Sequence, residues 1–311
     1  MLGDGRCFAY HDDLATHKIL IPAPVADNLP LPEPAFFALP DHTLVGLHGT
    51  EAAAFAQAQF ANDVSQLASG QWQWNAWLTP KGRVIALFAL LRRADDDFLL
   101  LAPDYPAEVL AAQLARFVFR RKLKIAARPD LHVSGSFSRP MAARGAQAAS
   151  DGESLELDFG ADGGPRTLRI DTTRAAEDAQ AQARWFAFDL LHGLPRLPES
   201  QREQWTPQQL SLERLPAFSV KKGCYPGQEI VARTHFLGKA KRGLVALGAA
   251  APIPTDAEIE LDGSPIGKIV AASPGEPYLA LAVLPLEHAA GALGAAGLGL
   301  NDIGLRDGLT R

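Results

Sequence analysis

The residues best suited to chemistry lie between Lys221 and Glu229, where the chain reads Lys-Lys-Gly-Cys-Tyr-Pro-Gly-Gln-Glu. Pro226 fixes its own φ, and Gly227 can take the positive φ that the third position of a type II turn requires. Residues 228–233 then have the pattern of the start of a helix, with an early acidic and a later basic residue that suit the helix dipole. We therefore expect the thiol of Cys224 to lie on a tight loop just before a helix.

Chemistry alone allows two interpretations of Cys224. A neighbouring cation such as Lys222 and the free N–H groups of a helix N-terminus both lower a cysteine pKa, which would make Cys224 a reactive thiolate. Alternatively, Cys224 is a small buried apolar residue in an ordinary turn, because free cysteine is among the most buried residue types. The other cysteine, Cys7, is distant in sequence, so the two indicate neither a disulfide framework nor a metal site.

Length and composition are typical of a globular protein of two or three domains. The chain has 311 residues, of which 47% are hydrophobic and 21% charged, values ordinary for soluble proteins. No apolar run reaches the roughly 18 residues of a membrane span, and the acidic N-terminal residues do not resemble a signal peptide, so we expect a cytoplasmic location. The net charge of −5 argues against direct binding of nucleic acid, although it leaves room for a local basic patch.

The pattern of strands, helices and turns divides the chain into three predicted domains. Residues 1–128 are expected to form an α+β domain with a Pro-rich lead-in, and the turn Thr79–Gly82 is expected to join two strands in a hairpin. Residues 129–241 are expected to form a second α+β domain, with a long helix from Thr173 to Leu191, that ends in the cysteine motif. Residues 242–311 hold short strands separated by glycines, the pattern of a small β-barrel.

The stretch from Lys222 to Glu229 resembles the K-G-C-Y-x-G-Q-E signature of the YgfZ family, folate-binding proteins related to the aminomethyltransferase (T-protein) of glycine cleavage. All seven fixed positions of the signature are met. Further resemblance lies along most of the chain, at Leu44–Gly49, Pro80–Arg83, Gly193–Pro195 and Pro207-Gln208. The resemblance implies an aminomethyltransferase-like folate-binding fold, in which two α+β domains and a C-terminal β-barrel are arranged around a central channel.

The resemblance also implies tetrahydrofolate, or a one-carbon derivative of it, as the cofactor. Its flat pterin and anionic tail require an aromatic or apolar slot, a few polar groups and nearby cations. Trp185 stands where the family carries a tryptophan associated with folate, and core packing is the alternative. The residues expected to bind folate are Trp185, Lys222, Tyr225, Gln228, Glu229, Arg233, Gln59, Asp63 and Lys122. Basic residues after the motif, Lys239, Lys241 and Arg242, could extend the positive surface.

Other aromatic and polar positions are interpreted differently. Trp72 and Trp74 are expected to pack on one face of a sheet and Trp77 on the other, because side chains alternate along a strand. The family usually reads G-Q-x-T-x-D-V after its first helix, whereas residues 58–64 keep Gln59, Asp63 and Val64 but have alanine for the glycine and threonine. A hydroxyl is therefore missing from that edge of the expected pocket. His42 stands where some members have tryptophan, and it either stacks on the pterin or is an exposed loop histidine.

The sequence leaves three functions open. The resemblance implies a folate-binding accessory protein for iron–sulfur enzymes or cluster-assembly proteins, including radical-type enzymes that methylthiolate tRNA, with Cys224 and Lys222 as its reactive residues. A tetrahydrofolate-dependent aminomethyltransferase or demethylase would instead need a placed carboxylate, for which Asp63 and Glu229 are candidates. A cysteine-nucleophile enzyme unrelated to folate would need a base near Cys224. No metal site is expected, since iron–sulfur clusters normally take four protein ligands.

Overall fold

The computed structural model describes residues 35–311, except residues 153, 239 and 288. Cys7, Lys239 and nearly all of the predicted Pro-rich lead-in lie outside the described residues. The described strands form two five-stranded antiparallel sheets and one closed barrel of six strands. The predicted α+β class with a C-terminal β-barrel is therefore confirmed, whereas the domain boundaries near residues 128 and 241 stay a prediction. None of the described helices is both long enough and apolar enough to cross a membrane.

Within the described residues, the elements follow one another in an order that alternates strands with four helices. They are β1 (Phe37–Ala38), β2 (His42–His48), α1 (Ala52–Gln59), β3 (Trp72–Leu78), β4 (Val84–Ala94), β5 (Asp97–Pro103), α2 (Ala107–Ala115), β6 (Lys124–Ala127), β7 (His132–Ser136), β8 (Ala149–Asp151), β9 (Ser154–Asp158), β10 (Thr167–Asp171), α3 (Ala179–Leu191), α4 (Gln228–Leu237), β11 (Arg242–Ala249), β12 (Glu258–Leu261), β13 (Ser264–Ala272), β14 (Leu279–Pro285), β15 (Leu293–Ala295) and β16 (Leu298–Asp302). Short 3₁₀ helices lie at Glu199–Gln201 and Leu212–Arg214.

The first sheet has the strand order β3-β4-β5-β2-β6, and its tryptophans divide between two cores. Trp72 and Trp74 pack together with ring centroids 5.4 Å apart, in a core that also holds Phe159 from beyond β9. Trp77 packs in a separate core on the other face, with residues of α1 and α2. The predicted division of the three tryptophans between the faces of β3 is confirmed, as the twofold alternation of a strand requires.

The second sheet has the order β1-β7-β10-β9-β8, and α3 packs against it. The helix predicted from Thr173 begins only at Ala179, because the residues before it are already engaged. The backbone of Ala38 donates a hydrogen bond to the carbonyl of Ala176 at 2.8 Å, which holds that stretch extended beside β1. Asp178 then caps the helix by accepting from the backbone N–H groups of Gln180 and Ala181, as an N-cap aspartate does.

The barrel closes in the order β11-β14-β13-β12-β15-β16, with β16 pairing back onto β11. Its interior is a small apolar core of leucine, isoleucine and alanine side chains, including Leu247, Ile259 and Ile269. Residues 303–311 leave the barrel and return to the two sheets. The indole Nε1 of Trp74 donates to the carbonyl of Leu309 at 2.8 Å, and Arg311 donates to the carbonyls of Asp158 and Gly160.

Candidate functional site

The loop before α4 presents Cys224 to solvent. Gly227 has φ 80° and ψ 0° at the N-cap of α4, the values of the third position of a type II turn. The helix begins at the next residue, so the predicted turn and helix are both confirmed. Cys224 is exposed, which rules out the interpretation of this cysteine as a buried apolar residue. The thiol can therefore be reached by another molecule without opening the fold.

Two glycines allow this loop to pack directly against the β3–β4 hairpin. A Cβ on Gly227 would lie 2.6 Å from the carbonyl oxygen of Thr79 and 2.7 Å from the Cα of Gly82. A Cβ on Gly82 would lie 2.9 Å from the Cβ of Ile230 on α4. Both glycines also have positive φ, which favours glycine. The cysteine loop and the hairpin of the first sheet are thus in backbone-to-backbone contact.

Lys222 fixes the other side of the loop to the connection between α1 and β3. Its Nζ donates to three carbonyl oxygens, those of Gln57 at 2.7 Å, Phe60 at 2.6 Å and Asn62 at 2.9 Å. Burial lowers the pKa of Lys222 to about 8, against the opposing effect of the Asp63 carboxylate. All three ammonium hydrogens are used in anchoring the loop, and an effect of Lys222 on the Cys224 thiol stays a prediction.

The remaining residues of the motif either support the loop or face solvent. The hydroxyl of Tyr225 donates to the carbonyl of Ser219 at 3.0 Å, and burial raises the pKa of Tyr225 to about 12. The Nε2 of Gln228 donates to the carbonyl of Lys222 at 3.0 Å. Glu229 and Arg233 are exposed on α4. The motif therefore combines buried anchors with one exposed thiol and two exposed charges.

The α1–β3 connection that receives Lys222 is rich in carboxamides. Asp63 accepts from the hydroxyl of Ser65 at 2.6 Å and from the Nε2 of Gln57 at 3.0 Å, and hydrogen bonding to Ser65 is the main cause that lowers the pKa of Asp63. Two buried atoms here, Gln59 Oε1 at the end of α1 and Nδ2 of Asn75, whose Oδ1 accepts from the backbone N–H of Asn62, have no hydrogen-bond partner among the described residues. Unpaired buried donors and acceptors of this kind suit the polar edge of a pterin, which carries both.

Lys122 lies away from this group, at the opposite end of α1. Its backbone N–H donates to the carboxylate of Glu51 at 2.5 Å, and its side chain is exposed. The eight residues of α1 separate this point from the Lys222 contacts by about 12 Å of helix. The structure thus brings Gln59, Asp63 and Lys222 together and leaves Lys122 apart from them.

Trp185 lies in the core between α3 and the second sheet. Its side chain is 1% exposed, its ring centroid is 6.2 Å from that of Phe159, and the guanidinium of Arg166 lies 4.2 Å from its ring. Its Nε1 has no hydrogen-bond partner among the described residues. The tryptophan is therefore a central packing residue with one unused donor, and its contact with folate stays a prediction.

A buried group of charges beside Trp185 was not predicted from the sequence. Arg166 pairs with Asp189 at 2.7 Å, and both are almost fully buried. Arg196 lies 3.5 Å from Asp189 and pairs with Asp104. Asp189 is the residue whose position in the sequence indicates such a group. It is a carboxylate within the apolar run of α3, and a buried aspartate requires a partner. Its two arginines are on other elements and could not be identified from spacing.

His42 is buried rather than exposed, so the exposed-loop interpretation is wrong. It is 7% exposed and lines a cavity of about 280 Å³, together with Leu44, His132 and Arg128. Burial, and then the charges of Arg196 and Arg166, lower the pKa of His42 well below its usual value. Its Nδ1 has no partner within the part of the chain that is described. His42 is therefore a buried imidazole at the wall of a cleft that opens to solvent.

Comparisons with known proteins agree with this architecture. A tRNA-modifying protein YgfZ from Klebsiella pneumoniae is 31% identical over 252 residues, covering 74% of this chain and 76% of the relative. The protein of the same name from Colwellia psychrerythraea is 28% identical over 70% of the chain and 73% of the relative. No protein-family model matches.

The fold also has a counterpart among solved structures. The glycine cleavage system aminomethyltransferase T from Bartonella henselae superposes with a TM-score of 0.67, over 87% of this chain and 84% of that protein. Sequence identity is 16%, so the likeness concerns the fold. The expected aminomethyltransferase-like fold is confirmed.

Proposed function

Because the chain belongs to the YgfZ family of tRNA-modifying proteins, we propose that it is a tetrahydrofolate-binding accessory protein that supports iron–sulfur enzymes of tRNA modification. The observation that carries the proposal is the exposed thiol of Cys224 on a loop fixed from two sides. Lys222 anchors that loop to the α1–β3 connection, and Gly227 packs it against the hairpin. A thiol held in this way is presented to a partner at a constant position.

The thiol acts on a group that arrives from another molecule. Cys224 faces solvent, and one cysteine cannot hold an iron–sulfur cluster alone. It therefore serves as a transient ligand to a cluster or as a partner for a thiol of an iron–sulfur enzyme or a cluster-assembly protein. Such enzymes include radical-type enzymes that methylthiolate tRNA, and the proposal places the protein with them in the cytoplasm.

The residues around the α1–β3 connection fit the folate. Gln59 and Asn75 have unpaired buried atoms that would hold the polar edge of the pterin. Asp63 contributes a carboxylate beside them, and Arg233, an exposed cation on α4, would meet the anionic tail. When bound, tetrahydrofolate supplies a reduced pterin that carries one-carbon groups.

Two other functions have less support. A transferase needs a carboxylate base whose pKa is near the working pH, whereas hydrogen bonding from Ser65 lowers the pKa of Asp63. A cysteine-nucleophile enzyme needs a nearby base, but His235 lies toward the far end of the ten-residue helix α4 and contacts Phe236. Roughly 10 Å of helix therefore separates His235 from the cysteine loop.

Calorimetric titration with folinic acid, combined with a tRNA-modification assay, tests the proposal. We expect wild-type protein to bind with a Kd in the micromolar range, about −8 kcal/mol. Gln59→Leu should weaken binding by about ten-fold, the effect of one lost hydrogen bond. Cys224→Ala should bind as wild type but fail to restore tRNA methylthiolation in cells that lack the protein.

Each half of the proposal can fail separately. No heat at about millimolar ligand would exclude the folate function and leave the thiol function to be judged by the cell assay. Full restoration of methylthiolation by Cys224→Ala would exclude the thiol function while leaving folate binding intact. Cys224→Ser is the matched variant, since it keeps the size and polarity of the side chain but cannot bind iron as a thiolate.

A further inference from the structure

A basic cleft lies at the far end of α4 from the cysteine loop. Its volume is about 270 Å³, and it is lined by residues from the β3–β4 hairpin, the segment before the second 3₁₀ helix, and the junction of α4 with β11. The polar lining residues are Arg83, Thr206, Gln209, Thr234, Lys241 and Arg242. Three of them carry positive charge and none is a carboxylate, although the chain as a whole has a net charge of −5.

Two of the three cations are held by neutral groups and the third is exposed, so their charges are not compensated. Nη1 of Arg83 donates to the carbonyl of Gln204 at 2.7 Å and to the Oε1 of Gln209 at 3.2 Å. Nη1 of Arg242 donates to the carbonyl of Ile266 at 2.7 Å. Lys241 is exposed. Across residues 35–311, apart from the three undescribed positions, none of these cations forms an ion pair.

The hydrogen bonds of Gln209 leave mainly donor groups facing the cleft. Its Oε1 accepts from Arg83, from the backbone N–H of Thr206 at 3.0 Å and from the Thr206 hydroxyl at 3.3 Å. The acceptor end of the carboxamide is therefore occupied, and its Nε2 has no partner in the described structure. The second guanidinium nitrogen of Arg83, Nη2, is likewise unused by the described residues. A ligand that fits such a cleft must supply several acceptors and more than one negative charge.

We propose that this cleft binds a phosphate group. A phosphate offers three or four acceptor oxygens and up to two charges, and the planar guanidinium fork matches its geometry. A single carboxylate would leave most of the positive charge unpaired. The phosphate comes either from an RNA backbone or from a small phosphorylated molecule such as a nucleotide. The proposal goes beyond folate and thiol chemistry and depends on neither.

The position of the cleft gives the phosphate a fixed relation to the thiol. Thr234 lines the cleft and belongs to α4, which begins directly after the cysteine loop. Thr234 lies seven positions after Gly227, a distance of about 10 Å along the helix axis. A phosphate group bound in the cleft would therefore lie beside the same helix that follows the loop of the exposed thiol.

Two probes and two matched double variants test the proposal. Fluorescently labelled tRNA is titrated at several salt concentrations, and pyrophosphate is titrated by calorimetry. Lys241→Gln/Arg242→Gln removes two charges from the cleft, while the control Arg116→Gln/Arg120→Gln removes two exposed charges near the end of α2. We expect the cleft variant to bind at least about ten-fold more weakly and its salt slope to fall by about 1 per charge removed. The control should bind as wild type.

The outcomes separate the two sources of phosphate and allow the proposal to fail. Binding of tRNA that the cleft variant weakens, with no binding of pyrophosphate, identifies the RNA backbone as the source, and binding of pyrophosphate with the same variant pattern identifies a small phosphorylated ligand. The proposal is overturned if neither probe binds at about millimolar concentration or if both double variants weaken binding equally. The single variant Lys241→Gln, at an exposed side chain without a hydrogen bond among the described residues, should weaken binding without any change in thermal unfolding.

Discussion

Lys222 shows how one residue can take a role that its sequence neighbours do not indicate. It is 6% exposed, and its three donors are filled by carbonyls from the far side of the loop. Those carbonyls belong to a chain reversal where α1 ends, so they have no helical partner of their own. The lysine thus satisfies three backbone acceptors with one side chain, and its removal would leave them buried and unpaired.

The buried ammonium predicts a specific pH dependence of stability. Burial lowers the pKa of Lys222 from 10.5 to about 8. Between these values the unfolded chain holds the proton and the folded chain has released it, so raising the pH favours the folded chain. The unfolding free energy of wild type minus that of Lys222→Met should therefore rise between pH 8 and 10.5. The rise is at most about 1.4 kcal/mol per pH unit.

Urea unfolding at several pH values measures this difference. Lys221→Met is the matched control, since Lys221 precedes Lys222 and is exposed. The control should keep the wild-type pH profile. If Lys222→Met and Lys221→Met gave parallel profiles above pH 8, the buried ammonium would not be the titrating group.

The sequence places Lys222 in the correct loop but gives no indication of what it binds. Its partners precede it by 160 to 165 residues, and no local rule connects positions so far apart. Exposure of Cys224 is likewise decided by how the loop docks, whereas the turn that carries it follows from Pro226 and Gly227 alone. Local backbone geometry was therefore predictable and tertiary partners were not.

At the scale of elements, the contact between the cysteine loop and the hairpin depends on Gly227. Replacement by alanine would place a methyl group 2.6 Å from a carbonyl oxygen and require positive φ from a residue that avoids it. We expect Gly227→Ala to lower the unfolding free energy by about 2 kcal/mol or more. It should also change the rate at which Cys224 reacts with an alkylating reagent, because the loop must shift.

Gly223 provides a control within the same motif. A Cβ there would meet no atom within 4 Å, so Gly223→Ala should change the unfolding free energy by less than about 1 kcal/mol. Equal losses in the two variants, measured by thermal or urea unfolding, would show that the loop does not depend on close contact with the hairpin.

Elements with strong local signals were predicted well. The strand Trp72–Leu78 ends directly before the predicted hairpin turn at Thr79–Gly82, and the strand Glu258–Leu261 lies in the predicted barrel, because alternation and turn residues mark both. The start of α3 was predicted too early, since the competing pairing of Ala176 with Ala38 is a long-range contact. The short strand β8 was not predicted, because three residues are too few to show a pattern.

For the whole molecule, residues 303–311 connect the barrel to both sheets. Leu309 is 3% exposed and lies in the core shared by the two sheets. We expect Leu309→Ala to lower the unfolding free energy by about 2 to 3 kcal/mol, through lost burial and the cavity left behind. Ile303→Ala, in the same segment at a position 42% exposed, should cost less than about 1 kcal/mol.

Equilibrium unfolding in urea distinguishes these two variants. A loss for Leu309→Ala no larger than that for Ile303→Ala would mean that the segment contributes little to the shared core. A larger loss accompanied by a reduced urea dependence would mean that the sheets and the barrel no longer unfold together.

The overall architecture was predictable from a family resemblance and from strand spacing, but the interior was not. The barrel follows from short strands separated by turns, whereas β15, β16 and the closure of β16 on β11 were not predicted. The buried charges of Arg166, Asp189 and Arg196 come from separate parts of the chain. Charged residues are expected at the surface by default, so only tertiary structure identifies those that are not.

The bond between Trp74 and Leu309 also has a consequence for biosynthesis. It joins residues 235 positions apart, and a ribosome delivers them in order at about 5–20 residues per second. At that rate, the face of β3 that carries Trp72 and Trp74 is not covered by residues 303–311 for more than about ten seconds of translation. Newly made chains should therefore be clients of chaperones that recognise apolar segments, until residues 303–311 emerge and complete the core.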